Sequence, residues 1–320
     1  MPYQYDAELE PFFSAMQANR AQNPPPAIHD IATRRRGITG VIDLFAAIPL
    51  VDGVQRETFT TTTPDGHELV LVWYSPVAAR GTTPGPALLQ IHGGGFIAFN
   101  VHHFHHALNN LVAASQVPML CVDYRIAPEH RYPVPLEDCY TALTWLRDHA
   151  TELKVDLTRI GVTGDSAGGG LAAGLVLMAR DREFSPPLAK QVLIYPMLDD
   201  RITIHDEELG KVLSFTYEDK ITSWAAYLGQ DVMGTEKVSK YAAPGRETDL
   251  SRLPSAYIDV GQLDAFTAEV VHYASGLVVS GVDTEFHLYP GAPHAFDVLV
   301  PEAAVSKRAR EGWVRAFQSF

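Results

Sequence analysis

Gly164-Asp165-Ser166-Ala167-Gly168 is a G-x-S-x-G pattern, and its flanks decide how the fold is read. Arg159 to Thr163 before it reads as a short strand, and Ala167 to Arg180 after it reads as a helix. A serine at a sharp strand-to-helix turn projects its hydroxyl out of the end of a sheet, and small neighbours are required because the tight backbone leaves no room for larger side chains. The helix N-terminus behind Ser166 favours negative charge developing there. Outward from this turn, short apolar runs alternate with helical stretches: Ala87 to Ile91, Val117 to Val122, Arg159 to Thr163, Gln191 to Tyr195, Ala256 to Val260 and Thr284 to Leu288. Such alternation specifies parallel strands with crossover helices on both faces. Ahead of them, Val54 to Thr62 and Glu68 to Ser75 flank the turn signal Pro64-Asp65-Gly66 and read as an antiparallel hairpin. The expected fold is α/β, with a mostly parallel, eight-stranded sheet.

Two stretches break this rhythm. The first 50 residues contain a helical stretch of about Glu8 to Ala21, ended by Asn23-Pro24-Pro25-Pro26. Between strands, the span from Leu198 to about Arg252 holds helical pieces such as Glu218 to Leu228. The expected organisation is an N-terminal cap segment (1–50) and a catalytic domain (51–320), with 198–252 contributing the rest of a helical cap. A chain of 320 residues, 46% hydrophobic and 20% charged, can bury a large core. Its formal charge of −13 disfavours nucleic-acid backbones and anionic membranes and suits a neutral small-molecule substrate. The start of the chain lacks a basic region followed by an apolar one, and no stretch of about 18 apolar residues occurs, so a soluble cytoplasmic protein is expected. The two cysteines, Cys121 and Cys139, are expected to be buried and reduced.

His92-Gly93-Gly94-Gly95-Phe96 follows the strand Ala87 to Ile91, where a loop of glycines leaves backbone N–H groups free to point at an oxyanion. Thirteen histidines compete for the role of base, but the chain order serine, acid, histidine requires one on a loop after the last strand. His294 lies there, in Pro290-Gly291-Ala292-Pro293-His294-Ala295-Phe296, whereas His287 sits inside the strand. For the acid, Asp264 follows the strand Ala256 to Val260 through Gly261-Gln262-Leu263, while Asp259 is mid-strand. His102-His103-Phe104-His105-His106 invites a metal reading, with His102 and His106 on one helix face. No H-E-x-x-H pattern or completing carboxylate accompanies it, so a polar rim near the site is expected instead. Arg34-Arg35-Arg36 reads as a solvated basic face.

With these motifs in hand, the chain resembles the hormone-sensitive-lipase-like family of α/β-hydrolases, the bacterial H-G-G-G carboxylesterases. The resemblance rests on His92-Gly93-Gly94-Gly95-Phe96, Asp123-Tyr124-Arg125-Ile126-Ala127-Pro128-Glu129-His130, Gly164-Asp165-Ser166-Ala167-Gly168-Gly169 and Tyr195-Pro196-Met197-Leu198-Asp199. It continues through Tyr241-Ala242-Ala243-Pro244, Gly261-Gln262-Leu263-Asp264 with Glu269, and Gly291-Ala292-Pro293-His294-Ala295-Phe296. It implies the α/β-hydrolase fold, a serine carboxylesterase acting on short-chain esters, a Ser166, Asp264 and His294 triad, and an oxyanion hole of Gly94, Gly95 and Ala167 N–H groups. Neither cofactor nor metal is implied. A homodimer is left open.

Two departures bear on specificity. Ile97-Ala98-Phe99 stands where the family commonly carries another glycine, so Phe96 and Phe99 are expected to bind substrate and narrow the pocket. The acid motif reads Asp264-Ala265-Phe266 where the family usually shows Asp-Pro-Leu. An amidase or deacetylase with the same triad is the alternative reaction. A non-catalytic ligand-binding receptor is the alternative class, and the presence of His294 argues against it.

Overall fold

The computed structural model describes residues 3–37, 39–77, 83–201 and 205–320. Eight strands form one sheet: β1 (Val54–Thr62), β2 (Glu68–Pro76), β3 (Gly85–Ile91), β4 (Met119–Val122), β5 (Val155–Asp165), β6 (Lys190–Ile194), β7 (Ser255–Leu263) and β8 (Thr284–Pro293). Their order is β1-β2-β4-β3-β5-β6-β7-β8. Only β2 runs against its neighbours, β1 and β4; every other pairing is parallel. Every residue of β4 and of β6 is buried. A strand without an exposed face has helices on both sides, which is why these segments read as continuous apolar runs rather than alternating ones.

Register carries the site to one edge. Gly164 of β5 lies opposite Ile91 of β3 and Leu193 of β6, and Leu193 lies opposite Ile258 of β7. The loops that leave β3, β5, β6, β7 and β8 therefore emerge together at the carboxyl ends of the parallel strands, where open α/β sheets present their ligand-binding loops.

The helix Ala167–Asp181 enters the core almost entirely: Ala167 to Ala179 are all buried. Its glycines let it approach other backbones. A Cβ on Gly170 would meet the Met197 carbonyl at 2.1 Å, and one on Gly174 would meet the Tyr241 carbonyl at 2.1 Å. Four glycines in one helix cost helical propensity, and close packing on two irregular segments is what that cost permits.

The N-terminal helices Glu10–Gln22, Ile31–Gly37 and Thr39–Ala47 pack against the rest by specific polar bonds. Tyr5 donates to the Val212 carbonyl (2.9 Å), and the Arg20 guanidinium to the Leu213 and Ser214 carbonyls. Here the sequence expectation of a solvated basic face fails. Arg34 is 9% exposed and reaches Asp219 (2.8 Å) and the carbonyls of Ala27, Asp30 and Pro26. Arg35 reaches the carbonyls of Ile97 and Ala127 and the carboxylate of Glu129. Three consecutive cations look alike in one dimension; the fold brings Arg34 to Asp219 and Arg35 to Ile97, Ala127 and Glu129, while exposed Arg36 donates to the Thr33 hydroxyl at 2.7 Å. Cys121 and Cys139 are buried and unpaired.

For Gly174→Ala, helix propensity alone predicts a gain of about 1 kcal/mol. The contact with the Tyr241 carbonyl opposes it, and overpacking of this kind costs about 1–3 kcal/mol. We expect a net loss of stability, read as a lower denaturant midpoint at an unchanged m-value; a midpoint at or above that of the parent chain contradicts the packing argument.

Candidate active site

Ser166 stands between β5 and the helix Ala167–Asp181 with φ 56° and ψ −119°. This backbone is strained for a residue with a Cβ and is held from both sides. The Ser166 N–H donates to the Ile194 carbonyl (2.9 Å), and its carbonyl accepts from the N–H groups of Met197 (2.9 Å) and Gly170 (3.0 Å). The surrounding glycines are required sterically: a Cβ on Gly164 would lie 2.3 Å from the Gly168 carbonyl oxygen, and one on Gly168 would lie 2.1 Å from that of Ile91. The motif is thus the place where β3, β5 and the helix touch backbone to backbone.

Three side chains from separate loops converge here. Ser166 Oγ lies 3.0 Å from His294 Nε2, and His294 Nδ1 lies 2.6 Å from Asp264 Oδ2. Asp264 Oδ1 accepts the Phe266 N–H at 3.0 Å, so both carboxylate oxygens are engaged. Asp264 is 1% exposed, and Ser166 and His294 are each 7% exposed. Tyr195 and Phe266 present edges to the imidazole and Phe215 lies tilted beside it, at centroid distances of 4.8, 5.1 and 5.4 Å. Ser214 donates to the His294 carbonyl at 2.7 Å. The imidazole is therefore fixed by its hydrogen bonds and by rings on three sides.

The glycine loop after β3 packs against the residues on either side of Ser166, Gly93 against Asp165 and His92 against Gly168. Gly94 and Gly95 have φ of 116° and 59°, the left-handed region that suits residues without a Cβ. A Cβ on Gly93 would lie 2.3 Å from Asp165 Oδ2 and 3.0 Å from the Asp165 carbonyl oxygen, so any larger residue there must displace the Asp165 side chain. Among the described residues, the N–H groups of Gly94 and Gly95 donate to no backbone carbonyl or side chain. The Ala167 N–H, at the first position of its helix, belongs to the donors that a helix leaves unpaired. His92 supports the loop from behind: its Nδ1 meets the Gly93 carbonyl at 2.7 Å, and its ring stacks on Tyr124 at 4.3 Å. Burial lowers the His92 imidazole to about 4, so this histidine is a neutral packing element at neutral pH.

Not every sequence expectation lands at the site. Phe96 is 1% exposed, with its ring stacked on Tyr227 at 4.2 Å; it fills the interior behind the loop and presents no face to a cleft. Phe99 stays partly exposed, with φ 70° and its ring edge-on to Phe45 (5.9 Å) and Phe104 (5.6 Å). The histidine run does not share one helix face. Val101–Phe104 is a 3-10 turn, and the following helix starts at His105. Its members serve separate partners: His102 meets Arg56 (2.8 Å), His105 meets Tyr74 (3.2 Å) and His106 meets the Ile48 carbonyl (2.5 Å). The run thus ties the hairpin and the N-terminal segment to the loop after Gly95 rather than forming a rim. No group of three or more His, Cys, Asp and Glu among the described residues could hold a metal ion. Phe215 and Ser214 belong to no motif and are recognisable only by what they touch, while Tyr195 and Arg35 lie in stretches whose pattern does not reveal these contacts.

Asp259 lies apart from the imidazole. It is 1% exposed and accepts from the Trp313 indole and the Tyr195 N–H. His287 pairs with Glu285 at 2.7 Å on β8.

A family profile described as alpha/beta hydrolase fold matches residues 88–298. The chain belongs to this family. Among curated relatives, carboxylesterase NlhH of Mycobacterium tuberculosis is 33% identical over 73% of this chain and 74% of that protein. The ethyl acetate hydrolase of Pseudomonas putida is 30% identical over 81% and 80% respectively. The solved structure of a bacterial heroin esterase superposes with a TM-score of 0.85 at 34% identity, covering 98% of this chain and 97% of that one. The hormone-sensitive-lipase-like resemblance carried by the motifs and the α/β-hydrolase fold both hold. No helix among the described residues is long and apolar enough to cross a membrane.

Burial pushes the Asp259 carboxyl up to about 7. The folded chain then holds a proton that the unfolded chain releases above about pH 4. Its contribution to stability is therefore full below about pH 4 and is lost as pH rises through 7, with a slope of up to about 1.4 kcal/mol per pH unit. Between pH 5 and 8 we expect Asp259→Asn to flatten the fall of melting temperature with rising pH and to retain most esterase activity. Loss of activity comparable to that of Asp264→Asn would place Asp259 in the catalytic machinery instead.

Proposed function

We propose that this chain is a serine carboxylesterase that hydrolyses short-chain esters through an acyl-enzyme on Ser166. The observation that carries the reading is the continuous hydrogen-bonded path from Ser166 Oγ through His294 to Asp264, at 3.0 and 2.6 Å, beside the unpaired N–H groups of Gly94 and Gly95. Ser166 Oγ attacks the ester carbonyl as His294 Nε2 takes its proton, and Asp264 holds Nδ1–H so that Nε2 is the free base. The carbonyl oxygen becomes an oxyanion facing the Gly94, Gly95 and Ala167 N–H groups, each worth about 3 kcal/mol in comparable sites. The tetrahedral intermediate collapses, the C–O bond breaks, and His294 passes the proton to the departing alcohol. Water then attacks the acyl-enzyme with His294 again as base, releasing the acid and restoring Ser166. No step calls for a metal or cofactor.

The names of the relatives, carboxylesterase and ethyl acetate hydrolase among them, support an ester substrate with a small acyl group. The pocket reading now rests on Phe99 alone, with Phe96 acting behind the loop. As a cap, the N-terminal segment and 198–252 suit the site: Arg34 joins Asp219, the His29 N–H donates to Thr222 (2.9 Å), and Phe215 stands beside His294. Such enclosure excludes water and limits the length of chain that fits. Two buried, unpaired thiols suit a reducing cytoplasm.

We expect Ser166→Ala to lower turnover by about 10⁴-fold or more with the fold intact, and His294→Ala and Asp264→Asn to be impaired to a similar order. With p-nitrophenyl esters from acetate to palmitate, kcat/KM is expected to peak at acyl chains of about two to six carbons. A folded Ser166→Ala variant with native turnover removes the nucleophile assignment, and preference for palmitate over butyrate removes the short-chain reading.

A further inference from the structure

In the Arg34-Arg35-Arg36 run, Arg35 reaches further into the fold than a bond that only fastens the N-terminal segment would need to. Arg35, on the helix Ile31–Gly37, sends its guanidinium to acceptors on two loops at once. Nε donates to the Ile97 carbonyl at 2.7 Å, one terminal nitrogen donates to the Ala127 carbonyl at 2.8 Å, and the Glu129 carboxylate receives two bonds at 2.7 Å. The loops so joined are also joined to each other: the Ala127 N–H donates to the Phe96 carbonyl at 2.8 Å.

Ile97 is the hinge of the glycine loop. The N–H groups of Ile97 and Ala98 both donate to the Gly94 carbonyl at 3.1 Å, and this bond pair sets the plane of the Gly94–Gly95 peptide, hence the aim of the Gly95 N–H. Within six residues, Gly94, Gly95, Phe96 and Phe99 take positive φ, three of them at 116°, 59° and 62°. A run of such conformations persists only where its surroundings over-determine it. Two of those surroundings lie below the loop, in His92 on Tyr124 and Phe96 on Tyr227. Arg35 acts from above, on the carbonyl of the residue whose N–H closes the turn. The planar fork of a guanidinium can hold two carbonyls and a carboxylate in fixed relative positions, which an ammonium cannot.

We propose that Arg35 is a positioning residue for the oxyanion hole: it clamps Ile97 and Ala127 so that the Gly94 and Gly95 N–H groups keep the geometry of the tetrahedral intermediate. The N-terminal segment thereby helps build the catalytic constellation as well as covering it. This rests on the reading of Gly94 and Gly95 as oxyanion donors. A donor that is misaimed by a few tenths of an ångström weakens the transition state more than the bound ester, because charge concentrates on that oxygen only as the intermediate forms.

The test compares the native chain with Arg35→Ala, Arg35→Lys and Glu129→Gln, each checked for a native circular-dichroism spectrum and melting transition. For p-nitrophenyl butyrate we expect kcat to fall about 10- to 100-fold in Arg35→Ala with KM within about threefold, because the loss is confined to the transition state. Arg35→Lys keeps the charge and most of the packing, and we expect it still to lose kcat about fivefold or more. Glu129→Gln leaves both carbonyl bonds in place and should cost less than either. Affinity for an alkyl trifluoromethyl ketone, whose adduct with Ser166 carries an oxyanion, should fall in parallel with kcat across the series. Added ethylguanidinium should restore part of kcat in Arg35→Ala and none in the native chain. A folded Arg35→Lys with native kcat, or a loss in either Arg35 variant that appears wholly in KM, overturns the proposal and leaves Arg35 as a cap fastener. If the native chain fails to form the ketone adduct, the oxyanion reading itself falls, an outcome distinct from equal ketone affinity in the native chain and the Arg35 variants.

Discussion

The backbone of Ser166, held at φ 56° and ψ −119°, is the constraint around which the rest of this molecule is arranged. A residue with a Cβ pays about 1–3 kcal/mol for such a conformation. What holds it is contact without side chains: Gly164 on Gly168, Gly168 on the Ile91 carbonyl, and Gly170 on the Met197 carbonyl. Three hydrogen bonds then pin Ser166 itself, through its N–H to Ile194 and through its carbonyl from Met197 and Gly170. The strands on either side of β5 are thus part of the turn. Because β3 and β6 end beside the turn, the glycine loop follows β3 there and the Tyr195 ring that follows β6 lies edge-on to His294.

Charge is used economically in this acidic chain. Several of its cations are spent on joining segments distant in sequence: Arg34 on Asp219, Arg125 on Asp138, Arg246 on Asp200, and Lys220 on Glu269. Buried pairs of this sort add little net stability over an apolar pair, but breaking one leaves an uncompensated charge, so they fix which segments meet. Lys220 and Glu269 illustrate it. Glu269 lies in the first turn of the helix that follows Asp264 and also accepts the N–H of Leu198, while Lys220 lies on the helix Tyr217–Leu228. The acid loop, the start of the 198–252 span and a helix within that span are held together at one carboxylate. Asp264's loop and the material around it are consequently positioned by the same carboxylate.

Much of this fold is legible in the sequence alone. The G-x-S-x-G turn with its strand and helix, the serine, acid, histidine order, and the strand runs that are buried on both faces are patterns local in sequence, and local backbone sterics leave them little freedom. Asp264 was chosen over Asp259 by strand phase, and His294 over His287 by its Gly- and Pro-bounded loop; in the fold, Asp264 and His294 are the residues that meet. The antiparallel pairing of β1 with β2 also follows from the Pro64-Asp65-Gly66 turn, although the antiparallel pairing of β2 with β4 does not.

What only the tertiary structure decided is the environment of each side chain. Phe96 and Phe99 are indistinguishable as neighbours of a glycine loop, but a positive φ at each sends one ring inward onto Tyr227 and the other toward Phe45. The histidine run looks like one cluster in sequence, but His102, His105 and His106 reach β1, β2 and the N-terminal segment respectively, because a 3-10 turn changes the angular step between them. Arg34 and Arg35 read as solvated because their distant acceptors, Asp219 for one and Ile97, Ala127 and Glu129 for the other, carry no signal in the local sequence. Their acceptors are carbonyls and carboxylates brought close by folding, and the demand of a buried carbonyl for a donor is a property of the assembled backbone rather than of any stretch of residues.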